Sequence, residues 1–121
     1  MKTIKQLNKS LHHAFNGVRQ VYKTENSFRL QILAGLLVVI LAFYLPLQAW
    51  EQVIVIIMIG FVLVLELINS VFERLVDSFR SRVHPMVGEI KDIMAATVLL
   101  ASVFTVIIGL IIFIPYLVDF I

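Results

Sequence analysis

The chain has 121 residues, 60% of them hydrophobic and only 15% charged, with no cysteine and a mean hydropathy of +0.98. Soluble domains run at roughly 45 to 50% apolar and about 25% charged, and eighteen charged residues cannot coat a chain this apolar unless lipid solvates the rest. Both an ordinary soluble domain and a disordered chain are excluded, as are a disulfide framework, a thiolate nucleophile and any cysteine-containing metal site. The net charge of +2 carries meaning only once the charges are placed.

In chain order, residues 1 to 29 come first. Ile4, Leu7, Leu11, Phe15, Val18 and Tyr22 recur at spacings of three and four, with Lys2, Lys5, Lys9, His12, Asn16, Arg19 and Lys23 between them. That pattern predicts an amphipathic helix lying on a membrane surface, over about residues 1–27. It does not read as a signal peptide, since the apolar run that follows starts late, is long, and has no small-residue cleavage pattern after it.

Leu30 to Trp50 is free of charge for 21 residues, and Ile93 to Val118 for 26. As helices these runs measure roughly 31 and 39 Å, enough to cross a hydrocarbon core of about 30 Å. Between them, Gln52 to Phe72 starts with 14 uncharged residues and then meets Glu66 and Asn69. Fourteen residues are too few to cross, so the helix must continue through those polar groups. The short segment around Pro46 to Glu51 makes the first two spans an antiparallel hairpin. The expected architecture is one all-α membrane domain over residues 1–121, with spans at about 29–49, 52–76 and 91–118.

Six of the ten basic residues lie within residues 1–29, four between Arg74 and Lys91, and none in the first loop or at the C-terminal end. By the positive-inside rule the N-terminus and the loop joining spans two and three are cytoplasmic, while Glu51 and Asp119 face the opposite side. Three helices shield few buried polar groups, so an oligomer is expected.

The informative stretch is Glu66-Leu-Ile-Asn69-Ser70-Val-Phe-Glu73-Arg74-Leu-Val-Asp77, in which Glu66, Asn69, Glu73 and Asp77 are spaced by three, four and four. At about 100° per residue they share one helix face. A charge within a span costs roughly 2.5 to 3.5 kcal/mol on insertion scales, so this stripe needs partners, protons or metal ions. It suits two jobs: a desolvated glutamate, Glu66, takes a proton from a hydroxyl, and Glu73, nearer water, ligates a hard divalent cation. The alternative is a stripe of interhelical glue or a proton path in a non-enzymatic transporter or channel, with Glu66 titrating. A transporter needs acids accessible from both sides, whereas most acids here gather beside the basic residues.

Beyond Asp77, a short segment through Arg80, Arg82, His84 and Pro85 leads to Lys91 and Asp92 at the head of the third span. That pair either binds a nucleotide or anchors the helix in the interface. The soluble-kinase signatures are absent, with no G-x-x-x-x-G-K-[ST] loop and no H-R-D or D-F-G set, and the histidines lack zinc spacing. Nothing suggests nucleic-acid binding.

The pattern Glu66-x-x-Asn69-Ser70-x-x-Glu73-x-x-Val76-Asp77, followed by Lys91-Asp92 ahead of Ala95 and Ala96, resembles the prokaryotic diacylglycerol kinase family. Asn16-Gly17 and Glu25-Asn-x-Phe28-Arg29 extend the match to nearly the whole chain. The resemblance implies a small lipid kinase of the bacterial cytoplasmic membrane, a homotrimer of three-span subunits with a surface helix. It further implies ATP as co-substrate, Mg2+ as cofactor and a membrane lipid alcohol as acceptor. Carried over residue by residue, Glu66 matches the catalytic base, Asn69 helps position the reacting groups, and Glu25 and Glu73 match the magnesium ligands. Lys91 and Asp92 match the nucleotide-binding pair, with His84 in the stretch near the ATP and Asp77 completing the signature. Val71, Phe72 and Val83 depart from the commoner residues. Gln31 stands where the Gram-negative branch has a glutamate, and His84-Pro85 is similar to the Gram-positive branch, whose members phosphorylate undecaprenol.

Overall fold

The structure, a computed structural model, describes residues 3–79 and 85–121. It contains four helices, α1 (Ile4–Thr24), α2 (Asn26–Tyr44), α3 (Ala49–Asp77) and α4 (Pro85–Phe120). Three of them, α2, α3 and α4, are long and apolar enough to cross a membrane.

Thr3 starts α1 with a capping box, its hydroxyl accepting from the Gln6 amide at 3.3 Å while the Gln6 side chain accepts from the Thr3 amide at 3.0 Å. The apolar stripe Ile4, Leu7, Leu11 and Phe15 is exposed, as an interfacial helix requires when lipid covers that stripe. The helix meets the bundle at its C-terminal end, where Val21 is buried. There the Arg29 guanidinium donates to the carbonyls of Tyr22 and Lys23 at 2.8 and 3.0 Å, which satisfies carbonyls that the last helical turn leaves unpaired.

A single residue, Glu25, separates α1 from α2. Its backbone is extended, with φ −118° and ψ 115°, and it caps both helices. A carboxylate at a helix N-terminus is favoured by the helix dipole, yet this side chain makes no capping bond and is available for the site described below.

The hairpin between α2 and α3 packs along a seam of period seven. On α2 the buried residues are Phe28, Gly35 and Ala42, and on α3 they include Val55, Val62, Asn69 and Val76. A strict seven-residue repeat is the signature of helices supercoiling about each other. At Gly35 the approach is close enough that a Cβ atom would sit 2.8 Å from Cγ2 of Ile59, so only glycine permits that contact. Asn69 thus occupies a seam position, which places the polar stripe of α3 in the same interface that holds the hairpin together.

α4 begins at Pro85, ahead of the span expected from about residue 91. Proline suits the first helical position, and the polar turns containing Glu89, Lys91 and Asp92 continue the helix beyond its apolar run. Pro115 lies inside α4, which continues to Phe120. Within the spanning windows of α2, α3 and α4 only 17%, 28% and 11% of the residues are buried by the chain itself, so most of the apolar surface is left for lipid or further subunits. Gln52 reaches the Ala42 carbonyl at 3.2 Å, and Tyr116 of α4 donates to Glu51 of α3. These contacts, with those at the opposite end, set an antiparallel order in which the ends of α1 and α3 and the starts of α2 and α4 share one end, here called the basic end.

Candidate active site

At the basic end the α1–α2 joint lies against α3, and four of the acidic and amide groups singled out in the sequence are gathered there. Glu66 is 3% exposed. Its Oε1 accepts from the Ser27 hydroxyl at 2.6 Å, and its Oε2 faces the Gln31 amide nitrogen at 3.5 Å. Ser27 and Gln31 are four residues apart, so α2 presents both on one face. A carboxylate held by donors on two sides is confined to one orientation, the condition for a base that must meet its proton at a defined point.

One turn along α3, Asn69 donates through Nδ2 to Glu73 Oε1 at 3.1 Å. Next to it, buried Ser70 donates to Glu25 Oε2 and accepts from Arg74 Nε at 3.3 Å. Arg74 also donates to the Thr24 hydroxyl at 2.9 Å. Glu66, the Asn69–Glu73 pair and the Glu25–Ser70–Arg74 group thus follow one another along α3 as three separately bonded sets, brought to one end of the bundle by the helix that carries them.

Two buried acceptor oxygens have no donor among the described residues, Asn69 Oδ1 and Gln31 Oε1. A buried polar atom without a partner costs about 1 to 3 kcal/mol, so each oxygen is free to accept from a group outside the described residues. For Asn69 the neighbouring Glu73 carboxylate suggests which. The Asn69 amide bonded to Glu73 is a pair of hard oxygen donors, and no three acidic or histidine side chains converge on one point among the described residues. One or two carboxylates without a full protein cage is how magnesium is held when it arrives with phosphates. The residues fit the ion.

Asp77 pairs with Lys91 Nζ at 2.5 Å, tying the end of α3 to the start of α4. Both side chains are substantially exposed. Asp92 follows Lys91 on α4 and is exposed. The expectation for His84 lies outside the described residues.

Sequence reasoning overlooked Ser27, Thr24 and Arg74 as members of the site. Gln31 appeared only as a departure from a branch pattern. One signal was available: Gln31 is the single amide in the run from Leu30 to Leu47, and an isolated polar group in a span calls for a partner. The serine four residues before it shares its face.

The sequence pattern of prokaryotic diacylglycerol kinases matches residues 12–113. The chain is 36% identical over 109 residues to the undecaprenol kinase of Bacillus subtilis, covering 90% of this chain and 89% of that one. It is 33% identical over 99 residues to the diacylglycerol kinase of Escherichia coli, covering 82% and 81%, and 32% identical over 103 residues to that of Helicobacter pylori, covering 85% and 80%. With those matches, a chain of three apolar candidate spans is a multi-pass membrane enzyme, a lipid kinase. The chain belongs to the prokaryotic diacylglycerol kinase family. A kinase of this family uses ATP, and the non-enzymatic transporter reading gives way to that assignment.

Proposed function

We propose that this kinase phosphorylates the hydroxyl of undecaprenol, in preference to diacylglycerol, at the cytoplasmic face of a bacterial membrane, as one membrane domain assembled into a homotrimer. The observation that carries the mechanism is Glu66, a buried carboxylate fixed between Ser27 and Gln31. Glu66 accepts the proton of the lipid hydroxyl as its oxygen attacks the γ-phosphorus of ATP. A new O–P bond forms, the bond from the γ-phosphorus to the β–γ bridging oxygen breaks, and ADP leaves. The protonated Glu66 then returns its proton to water.

Glu25, Glu73 and Asn69 would hold Mg2+, which supplies charge neutralisation for the transferring phosphoryl group. Asn69 keeps Glu73 oriented through its Nδ2. Lys91, Asp92 and His84 bind the nucleotide, and Asp77 sets the position of the Lys91 ammonium. The sidedness rests on the ten basic residues, which all lie at the basic end or in the segments leading to it. Extensive apolar surface and a polar network shielded by three spans support the oligomer. The His84-Pro85 pair, Gln31 in place of a glutamate and the Bacillus subtilis relative support undecaprenol as acceptor.

The test is transfer of labelled phosphate from ATP with magnesium to undecaprenol and diacylglycerol in mixed micelles. Undecaprenyl phosphate is expected as the favoured product. Preferential labelling of diacylglycerol would overturn the choice of acceptor, and no labelling of any lipid alcohol by folded protein would remove the mechanism.

A further inference from the structure

Thr24, Thr97 and Thr105 each return their hydroxyl proton to the carbonyl four residues earlier, at 2.8, 2.9 and 2.8 Å. That local bond is a common fate of a hydroxyl inside a helix. Ser70, 1% exposed on α3, departs from it by donating across to Oε2 of Glu25, 45 positions away in the chain. The cause lies one turn further on. Arg74 brings its Nε–H to the Ser70 oxygen at 3.3 Å, and a guanidinium only donates. The serine accepts on that side, and of the acceptors left for its single proton a carboxylate is the strongest.

The same guanidinium reaches a second hydroxyl. Its Nη2 donates at 2.9 Å to Thr24, the residue before Glu25, and Thr24 passes its own proton to the Gln20 carbonyl. One planar fork thus holds Glu25 at two points, the carboxylate through Ser70 and the backbone through Thr24. Among the described residues the ion pair formed is Lys91 with Asp77, so Arg74 acts on Glu25 through these hydroxyls and not by pairing with it. Oε1 of Glu25 accepts no bond from the described residues. The carboxylate is therefore fixed by one oxygen and open at the other. We propose that Arg74 is a positioning residue for Glu25, acting through Ser70 and Thr24 to hold the carboxylate whose open oxygen binds the divalent cation. This inference rests on the reading of Glu25 as a cation ligand and deepens it. A ligand held before the ion arrives gives up less conformational freedom on binding.

The test is the affinity of the full-length protein in micelles for the Mn2+ complex of a non-hydrolysable ATP analogue, read from the electron paramagnetic resonance of Mn2+. Glu25→Gln should weaken binding. Ser70→Ala and Arg74→Met should each weaken it about tenfold, the worth of one charge-assisted hydrogen bond, with the KM for the lipid alcohol unchanged. Arg74 is exposed, so its replacement leaves the packing of α3 intact. Arg74→Lys keeps the charge without the fork and should stay impaired. In the Glu25→Gln background Arg74→Met should add nothing, because its effect passes through the missing carboxylate. With Glu25→Gln impaired, four results would each overturn the role of Arg74 and leave Glu25 as a ligand: wild-type affinity in Ser70→Ala or Arg74→Met, wild-type affinity in Arg74→Lys, an additive loss in the double variant, or an equal rise in the lipid KM. Unchanged affinity in Glu25→Gln removes the reading of Glu25 itself.

Discussion

Helix α3 carries one buried glutamate in its first turn and another past its midpoint, and the two differ in how fully their surroundings are bonded. Glu51, 9% exposed, accepts from the Gln48 amide at 3.0 Å and from the Tyr116 hydroxyl. Around it the buried Leu45, Leu47, Val55, Ile112 and Phe113 form the apolar core of the molecule. Glu66 lies fifteen residues further on, roughly 22 Å along the helix. It is at least as buried, but the amide that holds it has an unpaired oxygen, as does the next polar residue of the stripe. One end spends its hydrogen-bonding capacity on closing helices together. The other keeps some in reserve. Burial alone does not separate a structural carboxylate from a reactive one; the saturation of its neighbours does.

That contrast can be broken or sharpened by experiment. The largest effect is expected for Glu66→Gln, which keeps the bonds to Ser27 and Gln31 within reach but cannot take a proton. Its turnover should fall by about 10²- to 10⁴-fold, with ATP affinity and assembly retained. Near-wild-type turnover in a steady-state assay would transfer the role of base to another group. Tyr116→Phe should behave in the opposite manner, losing about 0.5 to 1.5 kcal/mol of stability while kcat and both KM values hold. Thermal unfolding in detergent, measured beside the kinetics, reads the difference; a kinetic defect without destabilisation would mean that the far end also serves the reaction. The smallest change in stability is expected for Asp77→Asn. Its ion pair with Lys91 is largely exposed, and such pairs contribute about 0.2 to 1 kcal/mol. A shift well above that range would make the pair a structural tie of the same kind as Glu51 and Tyr116.

Much of this was legible without coordinates. Uncharged runs longer than a bilayer is thick leave little choice but spanning helices, and a spacing of three, four and four leaves Glu66, Asn69, Glu73 and Asp77 on one face. The partners were less legible because they come from another helix. Whether Ser27 or Gln31 meets Glu66 depends on how α2 is rotated and slid against α3, and that register is set by Gly35 meeting Ile59, not by anything local to either polar group. Glu51 illustrates the same limit. The charge distribution put it on the side opposite the basic residues, but its enclosure depends on Tyr116, sixty-five positions away. In the same way α4 outran its apolar stretch, because hydropathy marks where lipid begins and not where hydrogen bonds of a helix stop.

The single-residue joint at Glu25 has a mechanical consequence. Two consecutive Cα atoms are about 3.8 Å apart, so α1 and α2 are joined with almost no slack, and the joint residue's own side chain is bonded to Ser70 of α3. The helix α1, 21 residues long, is a lever of roughly 31 Å whose fulcrum bears a carboxylate. The angle between α1 and α2 and the direction of the Glu25 carboxylate toward Ser70 are therefore set by one residue's backbone, and the bonds of Arg29 to Tyr22 and Lys23 and of Arg74 to Thr24 fasten that angle from either side.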